Sequence, residues 1–382
     1  MNRSLDGVRV LELARFQAGP RGGMMFSDLG AEVIKIERLG GEETRQNPPM
    51  VRGQSIYFTV YNRGKKSICL DMRSPRGREI FSELVKKSDI VLENFRPGTM
   101  QAMGFGYEQL RALNAGIILV SVSGFGQYGP YRDRPAFDPL GQAMSGLMTL
   151  TGQPVGQPVG TAFSLVDRTT ALHATIGALA ALRHRDRTGE GQVVDVCLLD
   201  SALTMVEIPT SYYLATGTEG GEGGRPPYRA RDGWVVISAV GRDMSGRLMQ
   251  LVSGGTADTT PINSGMAATD DRRKLLDAWC AARTVDEICT ALLEAGVPVG
   301  PVKTIPEVAQ DPHLWEREML IKMEDAVAGE IYVPGVAVKM SATPGHAGPV
   351  PTPGQHTDEV LGRLLGYNEK TLTELRHEKI IG

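Results

Sequence analysis

The sequence predicts an α/β protein with a parallel sheet covered by helices on both faces, followed by a smaller α/β domain. Two observations lead to this fold class. Short apolar segments alternate with segments of helical spacing up to Val122, and such alternation is typical of parallel βαβ units. The length of 382 residues, 41% of them hydrophobic, is also enough for two domains.

The elements predicted for the first part of the chain begin with strands and helices in alternation. Strands are expected over residues 8–13, 32–36, 90–92 and 116–122, and helices over residues 21–29 and 77–87. The composition changes after Tyr213, where the stretch TGTEGGEGGRPPYRARDG is too rich in glycine and proline for the interior of an element. This stretch is typical of a linker or a functional loop.

Strands and helices resume beyond this stretch, without an internal repeat. The later predicted elements are strands over residues 234–239 and 331–338, and helices over residues 274–281, 285–293, 358–365 and 372–377. The middle part therefore reads as a smaller α/β domain.

Asp167 lies near the start of residues 165–203, which the pattern predicts as helix, turn, strand and helix. Small and apolar residues recur at helical spacing, cations follow, and Gly189 ends the run. Asp167 is therefore expected at or beside the N-cap, where backbone N–H groups and the helix dipole keep its carboxylate ionised. A helix cap is the simplest interpretation of this position, whereas an ionised carboxylate is also what nucleophilic attack on an acyl group requires.

Two phosphate-binding motifs are matched only in part. Gly124, Gly126 and Gly129 satisfy GxGxxG after a predicted strand, but Pro130 follows at once, so no long helix begins there to bind a pyrophosphate. Residues 64–67 resemble the end of a P-loop, yet they lack its upstream glycine and carry a second lysine. We therefore expect neither motif to bind a nucleotide.

Composition favours a cytoplasmic enzyme without a metal. The 41 basic and 44 acidic residues leave a net charge of -3, which implies neither nucleic acid nor an anionic membrane as a partner. No apolar run has the length of a membrane span, and MNRSLDGVRV lacks the apolar core of a signal peptide. The six histidines and four cysteines show no metal-ligand spacing, so the cysteines are expected to be reduced.

Sequence blocks along nearly the whole chain resemble one known family. They are VRVLELARFQAGPRGGMMFSDLGAEVIKIER, YFTVYNRGKKSICLDM, DIVLENFRPGTMQAMGFGYEQL, LAALRHRDRTGEGQVV, AGVPVGPVKTIPEV and PGQHTDEVLGRLLGY. In this order they resemble the family III CoA-transferases (CaiB/BaiF family), the group of formyl-CoA transferase and carnitine CoA-transferase. Each block is a weak signal alone, whereas the series is specific.

The resemblance implies a reaction and a nucleophile. CoA passes from an acyl-CoA thioester to a free carboxylic acid, through an anhydride and then a CoA thioester of Asp167, with CoA as substrate and no other cofactor. A Gln at the position of Gln17 contacts the reacting groups in the family. Backbone N–H groups around Gln17, Ala18 and Gly19 suit the oxyanions if Gly19 and Pro20 form a tight bend. An ordinary βα turn is the alternative.

CoA-binding positions are likewise implied by the resemblance. Guanidinium groups after strand ends suit phosphates, whereas the other positions match contacts to adenine and pantetheine. The matching residues are Ala18, Arg38, Leu70, Met72, Arg73, Asn94, Phe95, Arg96, Phe137 and Asp138. Some formyl-CoA transferases carry a basic residue at the positions of Ala102 and Pro135. The residues that bind the phosphates of CoA are therefore expected to differ here.

A glycine-rich loop of the family is matched by Gly220, Gly221, Gly223 and Gly224, with Glu222 interrupting the run. Such a loop could close over the site and exclude water. A plain flexible linker is the alternative interpretation.

The resemblance also implies an unusual architecture. Each subunit is expected to form an open ring, and two rings are expected to interlock into a homodimer. A Rossmann-like large domain would comprise residues 1–212 and 321–382, with the loop over 213–230 and the small domain over 231–320 inserted between them.

The principal alternative function is that of the related α-methylacyl-CoA racemases. These need a base and an acid on opposite faces of the substrate, and a His-Asp pair and a second Asp supply them. Phe137 occupies the His position here, and an aromatic hydrocarbon cannot carry a proton. A non-catalytic subunit is a third interpretation, against which the presence of Asp167 speaks. The sequence leaves the acyl donor and acceptor unidentified.

Overall fold

The computed structural model describes residues 3–152, 156–220, 226–254 and 270–382. Contacts along the chain divide it into two compact units. The first unit comprises Met1–Ser145, Ala162–Thr204 and Pro312–Gly382, and the second comprises Gly146–Thr161 and Met205–Asp311. Both ends of the chain therefore belong to the first unit.

The strands of the described residues are short. They are β1 (Arg9–Glu12), β2 (Glu32–Glu37), β3 (Met50–Val51), β4 (Gln54–Ser55), β5 (Lys66–Cys69), β6 (Ile90–Glu93), β7 (Ile118–Ser123), β8 (Val193–Cys197), β9 (Tyr228–Arg229), β10 (Trp234–Ile237), β11 (Val299–Pro301), β12 (Leu320–Asp325) and β13 (Gly329–Pro334).

Helices connect most of these strands, and a 3-10 turn covers Glu43–Gln46. They are α1 (Ala18–Asp28), α2 (Ile56–Asn62), α3 (Pro75–Val85), α4 (Thr99–Ala102), α5 (Tyr107–Leu113), α6 (Asp138–Met144), α7 (Leu147–Thr151), α8 (Leu165–Thr188), α9 (Leu198–Leu203), α10 (Glu207–Thr216), α11 (Gly241–Ser253), α12 (Asp270–Ala281), α13 (Val285–Glu294), α14 (Ile305–Ala309), α15 (Pro312–Glu316), α16 (Thr357–Leu365) and α17 (Glu369–His377). No described helix is both long and apolar enough to cross a membrane.

The main sheet consists of six parallel strands in the order β5-β2-β1-β6-β7-β8. The chain runs outward from β1 through β2 and β5, and then continues on the other side of β1 with β6, β7 and β8. This is the order of a Rossmann-like sheet, and its winding reverses between β1 and β6. The predicted Rossmann-like α/β fold is thus confirmed, and the reversal marks the edge where such sheets bind ligands.

Alternating side chains of the strands pack on opposite faces of this sheet. Val10 joins a buried cluster with Phe26 of α1 and Ala178 of α8. Leu11, the next residue, joins a different cluster with Phe81 of α3. Because helices cover both faces, apolar residues occupy successive positions of a strand, as Val10 and Leu11 do in β1.

The second unit contains a three-stranded antiparallel sheet in the order β11-β10-β9. Val235 of β10 packs with Leu276 of α12 and Ile288 of α13 in a core of its own.

The strand predicted over residues 331–338 is one arm of a hairpin, in which β13 pairs with β12. Sequence reasoning missed β12 because Lys322 and Glu324, both exposed, interrupt its apolar residues.

Candidate active site

A cavity of about 400 Å³ lies at the carboxyl ends of β1, β6 and β7, where the winding of the sheet reverses. Asp167 and Leu198 complete its wall from α8 and α9. The other residues that line it lie at or just after the ends of these strands or in the segment before α6, and they are Arg15, Phe16, Gln17, Ala18, Asn94, Phe95, Arg96, Pro97, Thr99, Val122, Ser123, Gly124, Arg134, Pro135, Ala136 and Phe137. The cavity therefore unites Asp167 and Gln17 with five of the predicted CoA-binding residues.

Asp167 is the third residue of α8 and lies in the first turn of this helix, whose N-cap is Ser164. Its own backbone N–H donates to Asp138 Oδ2 at 2.9 Å, so Asp138 satisfies the helix end. Burial, together with the nearby charge of Asp138, raises the pKa of Asp167 to about 7, against the opposing effect of Arg168. The expectation that a cap position keeps Asp167 fully ionised is therefore wrong.

A carboxyl group with this pKa is a stronger base and nucleophile than an ordinary aspartate, because its anion is poorly solvated. Near neutral pH a large fraction is still ionised. At this position Asp167 is therefore both more reactive than an ordinary aspartate and still ionised to a large fraction at neutral pH. A residue that only caps a helix needs neither property.

Asp138 is buried beneath the cavity wall and does not line the cavity. One of its oxygens accepts from Asp167 N, and the other accepts from Gln142 Nε2. Each oxygen of Asp138 thus accepts one hydrogen bond within the protein, and the pantetheine contact implied by the resemblance stays a prediction. The preceding Phe137 does line the cavity, and its ring meets that of Phe16 edge to face at 5.9 Å.

The turn that carries Gln17 differs from the one expected. The left-handed backbone conformation occurs at Phe16 (φ 65°), Gln17 is the N-cap of α1, and Gly19 and Pro20 lie inside the first helical turn. Gly19 is needed there for close packing, since a Cβ at this position would lie 2.3 Å from Ala14 Cβ. Non-glycine residues with positive φ are strained and cluster at functional sites.

Three groups on this turn can donate to an oxyanion. The N–H groups at the start of α1 have no partner within the helix, and Pro20 contributes none, which leaves those of Ala18 and Gly19. Gln17 Nε2 adds a side-chain donor and lies 3.4 Å from the carbonyl oxygen of Ser164, at the start of α8. The turn and the helix of Asp167 are thereby linked.

Two buried lysines donate hydrogen bonds to backbone carbonyl oxygens of this turn. Lys35 Nζ donates to Ala14 O at 2.9 Å, and Lys65 Nζ donates to Pro20 O at 2.8 Å, so the two ends of the turn are fixed. Both ammonium groups contact Glu12, at 3.1 Å and 2.7 Å. Glu12, Lys35 and Lys65 are almost completely buried. We call these three residues the charge network.

The loop after β6 is fixed to the same turn. Asn94 Oδ1 accepts from Arg15 N at 2.8 Å, and Asn94 Nδ2 donates to Arg15 O at 2.7 Å. The N–H of Phe95 donates to Glu93 Oε2 at 2.7 Å, and burial raises the pKa of Glu93 to about 7. Arg96 follows and lines the cavity.

The other predicted CoA-binding residues lie outside the cavity wall, although they follow strands of the same sheet edge. Arg38 follows β2, and its Nε donates to Gly41 O at 2.9 Å. Leu70, Met72 and Arg73 follow β5, where Leu70 is buried in the core and can offer a ligand only its backbone.

Of the predicted glycine-rich loop, Gly220 is described and belongs to the second unit. Gly221, Gly223 and Gly224 lie outside the described residues. Among the described residues, no group of three or more side chains could hold a metal ion.

A sequence model of CoA-transferase family III matches residues 5–357 of this chain. The chain belongs to CoA-transferase family III. The resemblance found in the sequence blocks is thereby confirmed, as is the assignment to the enzyme class of CoA-transferases.

Curated relatives of this family III protein cover nearly all of it. The chain is 39% identical to succinyl-CoA--D-citramalate CoA-transferase of Chloroflexus aurantiacus, over 99% of this chain and 98% of that protein. It is 33% identical to human succinyl-CoA:glutarate CoA-transferase, over 98% and 89%. A solved CAIB/BAIF family protein from Brucella suis superposes with a TM-score of 0.83 at 32% identity, covering 95% of this chain and 100% of that chain.

Sequence reasoning missed two arginines in the cavity wall of this family III protein, Arg15 and Arg134. Arg15 pairs with Glu43 at 3.0 Å, and the guanidinium of Arg134 lies 3.9 Å from the ring centre of Tyr131. Arg15 could have been found, because it follows a predicted strand two residues before Gln17. The placement of Arg134 depends on how residues 124–137 fold back, which no local pattern shows.

Proposed function

We propose that this CoA-transferase moves CoA from an acyl-CoA thioester to a free carboxylic acid with Asp167 as the covalent nucleophile. The single observation that supports this most is the position of Asp167. Its carboxyl group faces a cavity at the reversal point of the sheet, with a pKa raised to about 7, beside the donors of the Gln17 turn. These are the parts that acyl transfer to a carboxylate requires.

In the first half-reaction, the Asp167 carboxylate attacks the carbonyl carbon of the donor thioester. The tetrahedral oxyanion accepts hydrogen bonds from the Ala18 and Gly19 N–H groups or from Gln17 Nε2. The carbon–sulfur bond breaks, and CoA leaves as a thiolate from a mixed anhydride. The thiolate then attacks the aspartyl carbonyl, which releases the donor acid and leaves CoA as a thioester on Asp167.

The second half-reaction reverses these steps with a new acid. The acceptor carboxylate attacks the aspartyl thioester and forms a second anhydride as CoA thiolate departs. The thiolate attacks the acceptor carbonyl, giving the new acyl-CoA and the free Asp167 carboxylate. Each step exchanges one activated acyl bond for another, so the reaction needs no redox change and, we propose, no cofactor besides its substrate CoA.

For CoA itself, we propose that Asn94, Phe95 and Arg96 hold the pantetheine arm in the cavity, with Ala18 and Phe137. Arg38 and the Leu70, Met72 and Arg73 segment would bind the nucleotide end, since they follow β2 and β5 along the same edge of the sheet. We also propose that the loop around Gly220 shields the anhydride from water.

The assembly and location of the enzyme are proposals as well. We propose an interlocked homodimer of open-ring subunits in the cytoplasm, with the large domain built from both chain ends and neither nucleic acid nor membrane as a partner. The two compact units support the domain division, since the first contains both termini. The thiols of Cys69, Cys197, Cys280 and Cys289 are free, which suits a reducing compartment.

The test measures CoA transfer from succinyl-CoA to a panel of carboxylic acids. Asp167→Asn is expected to lower the rate at least about 1,000-fold, because the nucleophile is lost. Asp286→Asn is the matched control, an exposed aspartate in the first turn of α13, and is expected to keep full activity. Full activity in Asp167→Asn would contradict the mechanism.

Heavy water separates this function from racemisation. An α-methylacyl-CoA incubated with the enzyme and no acceptor acid is expected to take up no deuterium at the α-carbon, because Phe137 cannot act as a base. Uptake at that carbon would favour an isomerase.

A further inference from the structure

A group of cationic and phenolic side chains lies beside Asp167 but outside the wall of the CoA cavity. Arg168 follows Asp167 in α8, Arg21 belongs to α1, and Tyr57 and Tyr61 belong to α2. Arg168 Nη2 donates to Tyr61 Oη at 3.4 Å, and the Tyr57 and Tyr61 rings meet edge to face at 5.2 Å. We call these four residues the arginine–tyrosine cluster.

The two cations of the cluster, Arg21 and Arg168, have no ion-pair partner among the described residues. Arg21 Nε is buried and has no hydrogen-bond partner there, and neither Arg21 nor Arg168 forms an ion pair with a described carboxylate. Asp28, the acid whose charge acts on Arg21, is already paired with Arg63 at 2.8 Å. Burial and the charges of Arg168 and Arg63 lower the pKa of Arg21. An arginine in this state lacks an anion.

The cluster is also within electrostatic reach of the nucleophile. The Arg168 charge acts to lower the pKa of Asp167, and the Asp167 charge contributes to the raised pKa of Tyr57. Because the cavity receives CoA, the acyl chain of a thioester attacked by Asp167 points away from the CoA sulfur. The arginine–tyrosine cluster includes the residue after Asp167, Arg168, and does not line the cavity proposed for CoA.

We propose that Arg21 and Arg168 bind the second carboxylate of a dicarboxylic substrate, so that the enzyme exchanges CoA between dicarboxylic acids. This inference rests on the proposed role of Asp167. A guanidinium fork suits a carboxylate, and the hydroxyl groups of Tyr57 and Tyr61 can add donors. Donor and acceptor pass through the same anhydride with Asp167, so one site serves the distal carboxylate of both. Four acids in the names of similar enzymes, succinate, citramalate, glutarate and mesaconate, are dicarboxylic.

The experiment compares pairs of substrates that differ only in the distal carboxylate. With succinyl-CoA as donor, kcat/KM is measured for glutarate and for pentanoate as acceptors. In a second arm, succinyl-CoA and butyryl-CoA are compared as donors to one acceptor. The variants are Arg168→Gln, Arg168→Lys and Arg21→Gln. Arg183→Gln is the control, since it removes an exposed arginine about four turns further along the same helix.

Wild-type enzyme is expected to prefer the dicarboxylic member of each pair. Arg168→Gln and Arg21→Gln are each expected to lower kcat/KM for that member about 10- to 100-fold and to leave the monocarboxylic member nearly unchanged. Arg168→Lys is expected to recover part of the loss, because it keeps the charge without the fork. Arg183→Gln is expected to behave as wild type. Unchanged transfer to the monocarboxylic acid shows that each variant is folded.

Two results would overturn the inference while leaving the proposed function intact. One is wild-type transfer without preference between the members of a pair. The other is an equal loss for both members in Arg168→Gln, which would mean that Arg168 acts only on the ionisation of Asp167. By contrast, absence of CoA transfer to every acid from every donor would contradict the proposed function itself.

Discussion

One group of charges surrounds Glu12 and another surrounds Asp167, and the two groups are organised in opposite ways. In the charge network, Lys35 and Lys65 are both paired with Glu12 and bound to backbone carbonyl oxygens. Around Asp167, like charge stands near like charge. Beside burial, the charge of Asp138 helps to raise the pKa of Asp167, and the charge of Arg168 helps to lower the pKa of Arg21.

We infer that the charge network stabilises the backbone of the Gln17 turn, whereas the charges around Asp167 bind substrates. Paired buried charges are costly to disturb, because removal of one partner leaves the other uncompensated. Unpaired charges weaken the folded state and are tolerated where a ligand completes them. The folded protein should therefore respond to substitutions in the two groups with opposite signs.

The largest effect on stability is expected in the charge network. Lys65→Met should lower the free energy of unfolding by about 3–5 kcal/mol, because Glu12 is left buried with one partner fewer. The adjacent Lys66 forms part-exposed ion pairs with Glu32 and Glu359, so Lys66→Met should cost at most about 1 kcal/mol. Denaturant unfolding of both variants measures the difference. Equal costs would show that the network does not hold the turn.

Asp167→Asn should instead stabilise the protein, and in a way that depends on pH. The pKa of Asp167 rises from its ordinary 3.8 to about 7 on folding, so the folded state keeps a proton that the unfolded state loses. Wild-type stability therefore falls as pH rises from about 4 to 7. The gain of Asp167→Asn over wild type should grow through this window to at most roughly 4 kcal/mol and stay constant above it. A gain independent of pH would contradict the raised pKa.

The same ionisation should limit the rate at low pH. We expect kcat/KM to rise with pH, to be half-maximal near pH 7 and to level above it, as the Asp167 carboxylate forms. Asp138→Asn should move this limb to lower pH, because the neighbouring negative charge is removed.

Glu93→Gln is the control for that profile, since burial also raises the pKa of Glu93 to about 7. It should leave the limb in place. If the fall of kcat/KM at low pH disappears in Glu93→Gln and persists unchanged in Asp138→Asn, the ionisation that limits the rate belongs to Glu93.

The smallest effect on stability is expected at Arg21. Arg21→Gln should change the free energy of unfolding by no more than about 0.5 kcal/mol, or raise it, because a half-buried charge without an ion-pair partner is removed. Arg63→Gln is the matched contrast, since Arg63 is buried and paired with Asp28, and it should cost about 3–5 kcal/mol. Similar losses in both variants would show that Arg21 has a structural partner after all.

Much of the fold could be predicted because apolar runs and helical spacing are visible in short segments of the sequence. Apolar residues occupy two or three successive positions in each of β1, β2, β6 and β7, since helices cover both faces of the sheet. The hairpin strand β12 was missed because its exposed charges conceal the apolar positions.

The site was predictable where residues follow strand ends, as Gln17 and Asn94 do. What local patterns could not show is how Asp138 reaches the start of α8 from a separate helix. Asp138 thereby accepts a backbone N–H at this helix end, and its charge adds to the effect of burial in raising the pKa of Asp167. The arginine–tyrosine cluster was missed for the same reason, because Arg21, Tyr57 and Arg168 come from three helices that only tertiary packing brings together.

Trapping the covalent intermediate tests the role of Asp167 most directly. The enzyme is incubated with succinyl-CoA, treated with hydroxylamine, digested and examined by mass spectrometry. An activated acyl bond on Asp167 reacts with hydroxylamine, so we predict a hydroxamate at Asp167 in wild type and none in Asp167→Asn. An unmodified Asp167 in enzyme that is transferring CoA from the same donor would contradict the account.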